Sequence, residues 1–410
     1  MNRIILIGNG FDLAHGLPTR YEDFINWYWE KRVYSFHGNF TAISEDCLCS
    51  IKIISSNEYK NWSVFASHIM GSFDRRSGGI IKPSGKDVIK DIKNDIERYE
   101  FKLSPFFKSI CESIETKGWV DIEREYYNHV KMCMDISSSN NNSLSIKGLN
   151  YQLEYLRQLL VEYLKSLQYF NRENEEISDI IYGHFNSDDI AVSRQSDYNA
   201  HCENYGMLIP DGKEGDVKFG NKKFSKPCSV LLLNFNYTPI AIAYLLVQIE
   251  EQKYGKDIKA DLIFIHGNTT MPRDLIFGYG DELDDTYSTL LKSEDNEYLK
   301  FIKSIKYLES DNYRKLLEFI ESDTFQIYIM GHSCGNSDRT LLNTLFEHKN
   351  CVSIKPYYYQ KEDGSDNYME IVQNICRNFT DMKLMRDRVV NKTFCEPLPQ
   401  IKNYGTTDKR

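Results

Sequence analysis

The sequence predicts an α/β protein: an open parallel sheet with helices on both faces, interrupted by a large, mainly α-helical insertion. Three observations carry this. Four short apolar runs, residues 4–7, 230–233, 262–265 and 325–330, lack the polar alternation of a half-exposed strand, as strands covered on both faces do. Each run stops at small or polar residues: Gly8-Asn9-Gly10, Asn234-Phe235-Asn236, His266-Gly267 and Gly331-His332-Ser333. Between the first and second runs lie roughly 200 residues that read mostly as helix. Polar clusters at the carboxyl ends of parallel strands mark a Rossmann-like sheet, whose ligands bind beyond those ends.

In chain order, the first run is only four apolar residues before Gly8, which suits a buried strand and is too short for a signal peptide. Ile89, Ile92 and Ile96 then recur at helical spacing, as do Leu149, Leu153, Leu156, Leu160, Tyr163 and Leu167. These stripes read as ordinary core. Residues 137–143, rich in Ser and Asn, read as a loop between helices. Residues 192–228 are polar, with several glycines, and are expected to return the chain to the sheet as a mobile segment. A fifth, weaker strand covers 352–354 and runs into 357–359. Helices are expected over 338–348 and 364–385, followed by a polar tail. The domain boundaries follow: a nucleotide-binding sheet domain of residues 1–30 and 226–360, a helical insertion of 31–225, and a C-terminal helix and tail of 361–410.

Composition narrows the function. The 410-residue chain has 50 Lys and Arg against 59 Asp and Glu, a net charge of −9, which argues against nucleic acid as a partner because phosphate-backbone binding needs a basic surface. No run approaches the 18 apolar residues of a membrane-spanning helix. The ten cysteines include no C-x-x-C pair, the nearest two being Cys47 and Cys49. That excludes a disulfide framework and a cysteine zinc site, so no metal is expected and a reduced, cytoplasmic protein is.

The chemistry concentrates at the strand ends. Gly8-Asn9-Gly10-Phe11-Asp12 follows a strand directly. Glycines there let backbone N–H groups approach a phosphate, or simply make a tight strand-to-helix turn. Leu13 stands where the dehydrogenase fingerprint has its third glycine. Gly16-Leu17-Pro18, eight residues after Gly8, completes a pattern similar to the sirtuin signature, in which G-A-G-x-S precedes G-[IL]-P. Further matches follow in order. Asn234-Phe235-Asn236-Tyr237-Thr238 resembles the sirtuin T-x-N-[YI]-D element, His266-Gly267 its H-G pair, and Gly331-His332-Ser333 its later G-x-S element. With Gly8-Asn9-Gly10-Phe11-Asp12-Leu13-Ala14-His15-Gly16-Leu17-Pro18-Thr19, the set resembles still more closely the bacteriophage abortive-infection AbiH family. That family carries this N-terminal motif, an N-F-N-Y-T element, an H-G pair and a late G-H-S…D segment.

The resemblance implies antiphage defence through a sirtuin-like site that takes NAD as its substrate. Carried over residue by residue, Gly8, Asn9, Gly10, Phe11 and Pro18 line the dinucleotide, with Asp12 near the nicotinamide ribose. Asn236 positions water or ribose beside Asn234, and His266 acts as general base. Gly331, His332 and Ser333 hold the adenosine side. His15 either lines this pocket or is structural. Asp338 either serves the site or caps its helix, where an acidic residue is at home. Gly278-Tyr279-Gly280-Asp281 reads as a second loop over the pocket or as a plain turn. Three positions depart from the sirtuin pattern: Asp12 replaces its Ser, Asn234 its Thr and Thr238 its Asp.

From the residues themselves, cleaving the nicotinamide–ribose bond creates an oxocarbenium-like centre and releases a neutral leaving group. Asp12 would supply negative charge near C1′. His266, with a reference pKa of ~6.5, would take the water proton. Two outcomes remain open, hydrolysis of NAD (or a related nucleotide) and non-catalytic sensing through a partner. Control by homo-oligomerisation or by a phage-derived trigger protein would suit a lethal enzyme, and no membrane partner is expected.

Overall fold

Strand formation follows the apolar runs. In the computed structural model, which describes residues 1–55, 59–68, 84–117, 120–135, 145–169, 173–211, 218–271 and 274–401, the strands in chain order are β1 (Asn2–Ile7), β2 (Ile43–Glu45), β3 (Cys49–Ile53), β4 (Tyr99–Leu103), β5 (Met207–Asp211), β6 (Lys218–Phe224), β7 (Ser229–Asn234), β8 (Lys259–Phe264), β9 (Phe325–Met330) and β10 (Cys351–Tyr357). The chain forms two compact units. The first comprises Met1–Pro18, Leu167–Glu294 and Phe301–Arg410, and the second Thr19–Ser166 and Asp295–Lys300.

The first unit holds a five-stranded sheet in the order β10-β9-β1-β7-β8, and every pairing is parallel. Central β1 is matched on both sides, Ile4 lying opposite Leu231 and Ile327. The chain runs outward from β1 through β7 and β8, then crosses to β9 and outward to β10. This is the doubly wound Rossmann-like order, with its switch point between β1 and β9. Successive side chains point to opposite faces. Ile4 and Leu6 join a core with Leu231, Leu233, Ile327 and Ile329. Ile5 and Ile7 join the other core with Val230, Leu232, Tyr328 and Met330. Both faces are therefore covered, which explains the uninterrupted apolar runs.

The second unit has its own antiparallel sheet, β2-β3-β4, and the helices Tyr21–Tyr34, Gly85–Asn94, Pro105–Lys117, Ile122–Asp135 and Ile146–Ser166. Leu149, Leu153, Leu156, Leu160 and Tyr163 form the buried stripe of the last of these. Aromatic packing supplies much of the rest: Tyr28 and Trp29 both contact Phe107, with centroids 5.1 and 5.5 Å away.

Four expectations change. Ile96 is outside its helix and exposed, because Asp95 turns the chain by accepting the Arg98 N–H at 3.2 Å. Residues 192–228 carry the helix Gln195–Tyr205 and the β5–β6 hairpin. Residues 364–385 hold two helices, Tyr368–Arg377 and part of Met382–Arg388. They are interrupted at Asn378, whose side chain donates to Cys334 O at 2.8 Å. The expected tail is packed as far as residue 401: Leu398 is buried, and Ile401 N–H donates to Ala14 O at 2.8 Å. The expected loop at 137–143 lies outside the described residues, as do 402–410. Among the described residues, no helix is long and apolar enough to cross a membrane.

Candidate functional site

The loops after β1 and β9, at the switch point, touch backbone to backbone. Gly8 N–H donates to Met330 O at 3.2 Å, Gly10 N–H to Gly331 O at 2.8 Å, and Phe11 N–H to Gly8 O at 2.9 Å. A Cβ on Gly8 would stand 2.4 Å from His332 Cα, and one on Gly331, whose φ is +74°, 2.1 Å from Phe11 N. Only residues without a side chain permit this approach. These three N–H donors are engaged by the protein itself, and the glycines serve the close approach of the two loops. Asn9, exposed, opens the short helix Asn9–Ala14.

The loop after β7 is tied to the same place. Asn234 Oδ1 accepts the Asn236 N–H at 2.8 Å, an Asx turn, and Asn234 Nδ2 reaches Thr238 O at 3.4 Å. Asn234 thus shapes its own loop. Asn236 Nδ2 donates to Gly8 O at 2.9 Å, and Thr238 Oγ1 donates between the two oxygens of Asp12, at 2.9 and 2.8 Å. Burial pushes the Asp12 carboxyl up to about 7, against the lowering effect of the Thr238 and Asn236 hydrogen bonds. The expectation of a full fixed charge on Asp12 is corrected accordingly: burial favours the protonated form of its carboxyl, which clamps two loops together.

His15 is also reassigned. Its Nδ1 lies 2.7 Å from Phe11 O and its Nε2 2.5 Å from Tyr244 Oη. Phe11 and Tyr244 belong to the core on the Ile5 face of the sheet, whereas Phe235 and Tyr307, which flank His266, belong to the Ile4 face. His15 is a structural histidine on the far side. Pro18 and Ser333 are exposed, and Ser333 O accepts from Asn374 Nδ2 at 2.8 Å.

On the Ile4 face the loops after β7, β8 and β9 bring three rings together. The Phe235 ring centre is 4.2 Å from that of His332 and 5.4 Å from that of His266. Both histidines face Asp338: His266 Nε2 is 3.3 Å from Oδ1, and His332 Nε2 is 3.5 Å from Oδ2. Lys303 Nζ meets Oδ1 at 2.8 Å. Tyr307 Oη is 3.3 Å from His266 Nε2, and the two rings are parallel with centres 6.1 Å apart. All six side chains are buried. Asp338 does not cap the helix Arg339–Phe346, since it makes no capping hydrogen bond there.

Charge in this cluster is balanced by contact. Burial opposes the Asp338 charge, but Lys303, then His266 and His332, hold its carboxyl well below the usual range. Burial, followed by Lys303, lowers the imidazole pKa of His266, so that ring is neutral at pH 7 and can accept a proton. Among the described residues no group of His, Cys, Asp and Glu is arranged to hold a metal ion; the cation beside Asp338 is the Lys303 ammonium.

Lys303, Tyr307 and Phe235 were not candidates on sequence. Phe235 sits inside the Asn234–Thr238 motif and could have been flagged by position. Lys303 lies in Lys300-Phe301-Ile302-Lys303-Ser304-Ile305-Lys306, which looks like surface, and no local signal marks the one lysine that is 1% exposed. The Gly278–Asp281 segment packs beside it: Lys303 N–H donates to Tyr279 O at 2.9 Å, and Gly280 N–H to Ser337 O at 3.1 Å.

No curated protein matches the chain. The family described as "Bacteriophage abortive infection AbiH" matches residues 4–359, a span that contains every one of these loops. The chain belongs to the AbiH family, and its role is in phage defence by abortive infection.

Proposed function

We propose that the chain serves this defence as a sirtuin-like NAD hydrolase that cleaves the nicotinamide–ribose bond with His266 as the general base. The observation that carries the reading is that the glycine turn, Asn236 and His266 lie in the loops after β1, β7 and β8, at the carboxyl edge of a Rossmann-ordered sheet. Open parallel sheets bind nucleotides at this edge. His266 is neutral, and its Nδ1 makes no hydrogen bond among the described residues.

The reaction balances simply. A water oxygen bonds to C1′ while the C1′–N bond breaks, its electron pair going to the neutral nicotinamide. The water proton passes to His266, and the products are ADP-ribose and nicotinamide. A positioned base of this kind contributes on the order of 10²–10⁴-fold. Asn236, fixed by its bond to Gly8 O, would orient the ribose or the water.

Incubating the purified full chain with NAD, with and without extract of phage-infected cells, tests the reading. Release of nicotinamide and ADP-ribose supports it. Binding of NAD without products supports the second reading, a nucleotide sensor, which the mutually satisfied pairs Asp12–Thr238 and Asn236–Gly8 favour. Neither binding nor products removes both.

A further inference from the structure

We propose that Asp338 is a positioning residue that holds His266 as the Nε2–H tautomer, so that Nδ1 is the nitrogen that takes the proton. Its catalytic meaning rests on the hydrolase reading above; the tautomer itself does not.

The inference begins with Lys303. Its ammonium, buried 2.8 Å from Asp338 Oδ1, fixes that side chain as a carboxylate, because an unpaired buried ammonium would be far more costly. A carboxylate only accepts hydrogen bonds. His266 Nε2, 3.3 Å from the same oxygen, cannot turn a lone pair toward it without repulsion, so the proton sits on Nε2. In a neutral imidazole the other nitrogen is then an acceptor, and Nδ1 is left for a substrate water. Tyr307 Oη, also 3.3 Å from Nε2, stands on the same side of the ring.

His332 is oriented independently. Its Nδ1 accepts the Cys334 N–H at 3.0 Å, which places its proton on Nε2, toward Asp338 Oδ2 at 3.5 Å. Cys334 achieves this from a left-handed backbone, φ +54°, a conformation rare outside glycine and costly unless its surroundings hold it. Asn378 Nδ2 grips Cys334 O at 2.8 Å. One carboxylate thus accepts from an ammonium and has the Nε2 atoms of two imidazoles within 3.5 Å. A carboxylate that orients a histidine in this way affects turnover strongly when it is replaced by an amide, because the amide supports the wrong tautomer.

The test is ¹⁵N NMR of the full chain labelled at histidine, at pH 7.5, with His266 assigned by its absence in His266→Gln. The expected result is a protonated-type Nε2 and an unprotonated-type Nδ1 for His266. In Asp338→Asn the two shifts exchange or average, and nicotinamide release falls by about 10²-fold or more, chiefly in kcat. A protonated Nδ1 in the wild-type chain overturns the proposal without any variant having to fold. If the wild type shows the Nε2–H form but releases no nicotinamide, the hydrolase reading fails and the positioning stands. If it releases nicotinamide from an Nδ1–H ring, the positioning alone fails.

Discussion

Asp12 and Thr238 stand 226 positions apart in the chain, yet the Thr238 hydroxyl lies within 2.9 Å of both Asp12 carboxylate oxygens. This bond joins the loop after β1 to the loop after β7. It has a measurable consequence because the carboxyl is buried and its pKa rises from 3.8 to about 7. Between those values the folded chain binds more protons at this site than the unfolded chain, so stability falls as pH rises through the window. Asp12→Asn keeps an acceptor for Thr238 and removes the burdened charge. It should stabilise the protein at pH 8 by up to about 4 kcal/mol and have little effect near pH 4. Thr238→Val should destabilise by about 1–3 kcal/mol, most strongly above pH 7. Urea unfolding across pH measures both; equal Asp12→Asn effects at pH 4 and 8 would exclude a raised Asp12.

Gly331 and Gly364 both have left-handed backbones, with φ of +74° and +83°. A Cβ on Gly364 meets nothing within 4 Å, whereas one on Gly331 meets backbone at 2.1 Å. Gly364→Ala should cost about 1–2 kcal/mol for conformation alone. Gly331→Ala should cost at least about 2 kcal/mol more, because two loops must separate. Denaturant midpoints at matched slopes decide between this and a purely conformational role, which predicts equal losses.

Lys303 and Asp338 are a buried ion pair, their side chains 1% and 10% exposed. Lys303→Met strands the carboxylate and should destabilise by about 3–5 kcal/mol. Replacing both, as Lys303→Met with Asp338→Leu, should recover most of that loss, since apolar substitutes for a buried pair are often neutral. Additive losses in the double variant would show that the two residues do not act on one another.

His266→Ala should lower nicotinamide release by on the order of 10²–10⁴-fold while NAD binding is largely kept. Because the pKa of His266 is lowered by burial and Lys303, the ring stays unprotonated below its ordinary pKa. The acid limb of kcat/KM should therefore fall below pH 6.5. An acid limb above 6.5 would assign the base elsewhere.

The sheet was legible because a strand buried on both faces must be apolar at successive positions, and β1, β7 and β9 are. Edge strand β8 was displaced by three residues at its start, since Lys259 and Asp261 face solvent and break the apolar run. Polar loops meeting at one edge were also legible, because strand ends in a parallel sheet share an edge. What each polar side chain does there was not. Asp12 looked like a free charge, but burial and then Thr238, 226 positions away, set its state. Asp338 could be read either as a site residue or as a helix cap, and its partner, Lys303, lies 35 positions earlier. Gly8 and Gly10 fitted either a phosphate turn or a tight strand-to-helix turn, and their N–H groups answer to the end of β9, whose position only the folded sheet defines. Buried polar pairs of this kind depend on contacts between distant segments, and no local pattern carries them.

The most direct measurement is cellular NAD after phage infection, in cells expressing either the wild-type chain or His266→Ala at equal levels. NAD should collapse in the wild type before the cells lyse and persist in the variant. Equal NAD in the two strains, with phage protection retained in both, would contradict a nicotinamide-releasing site built on His266.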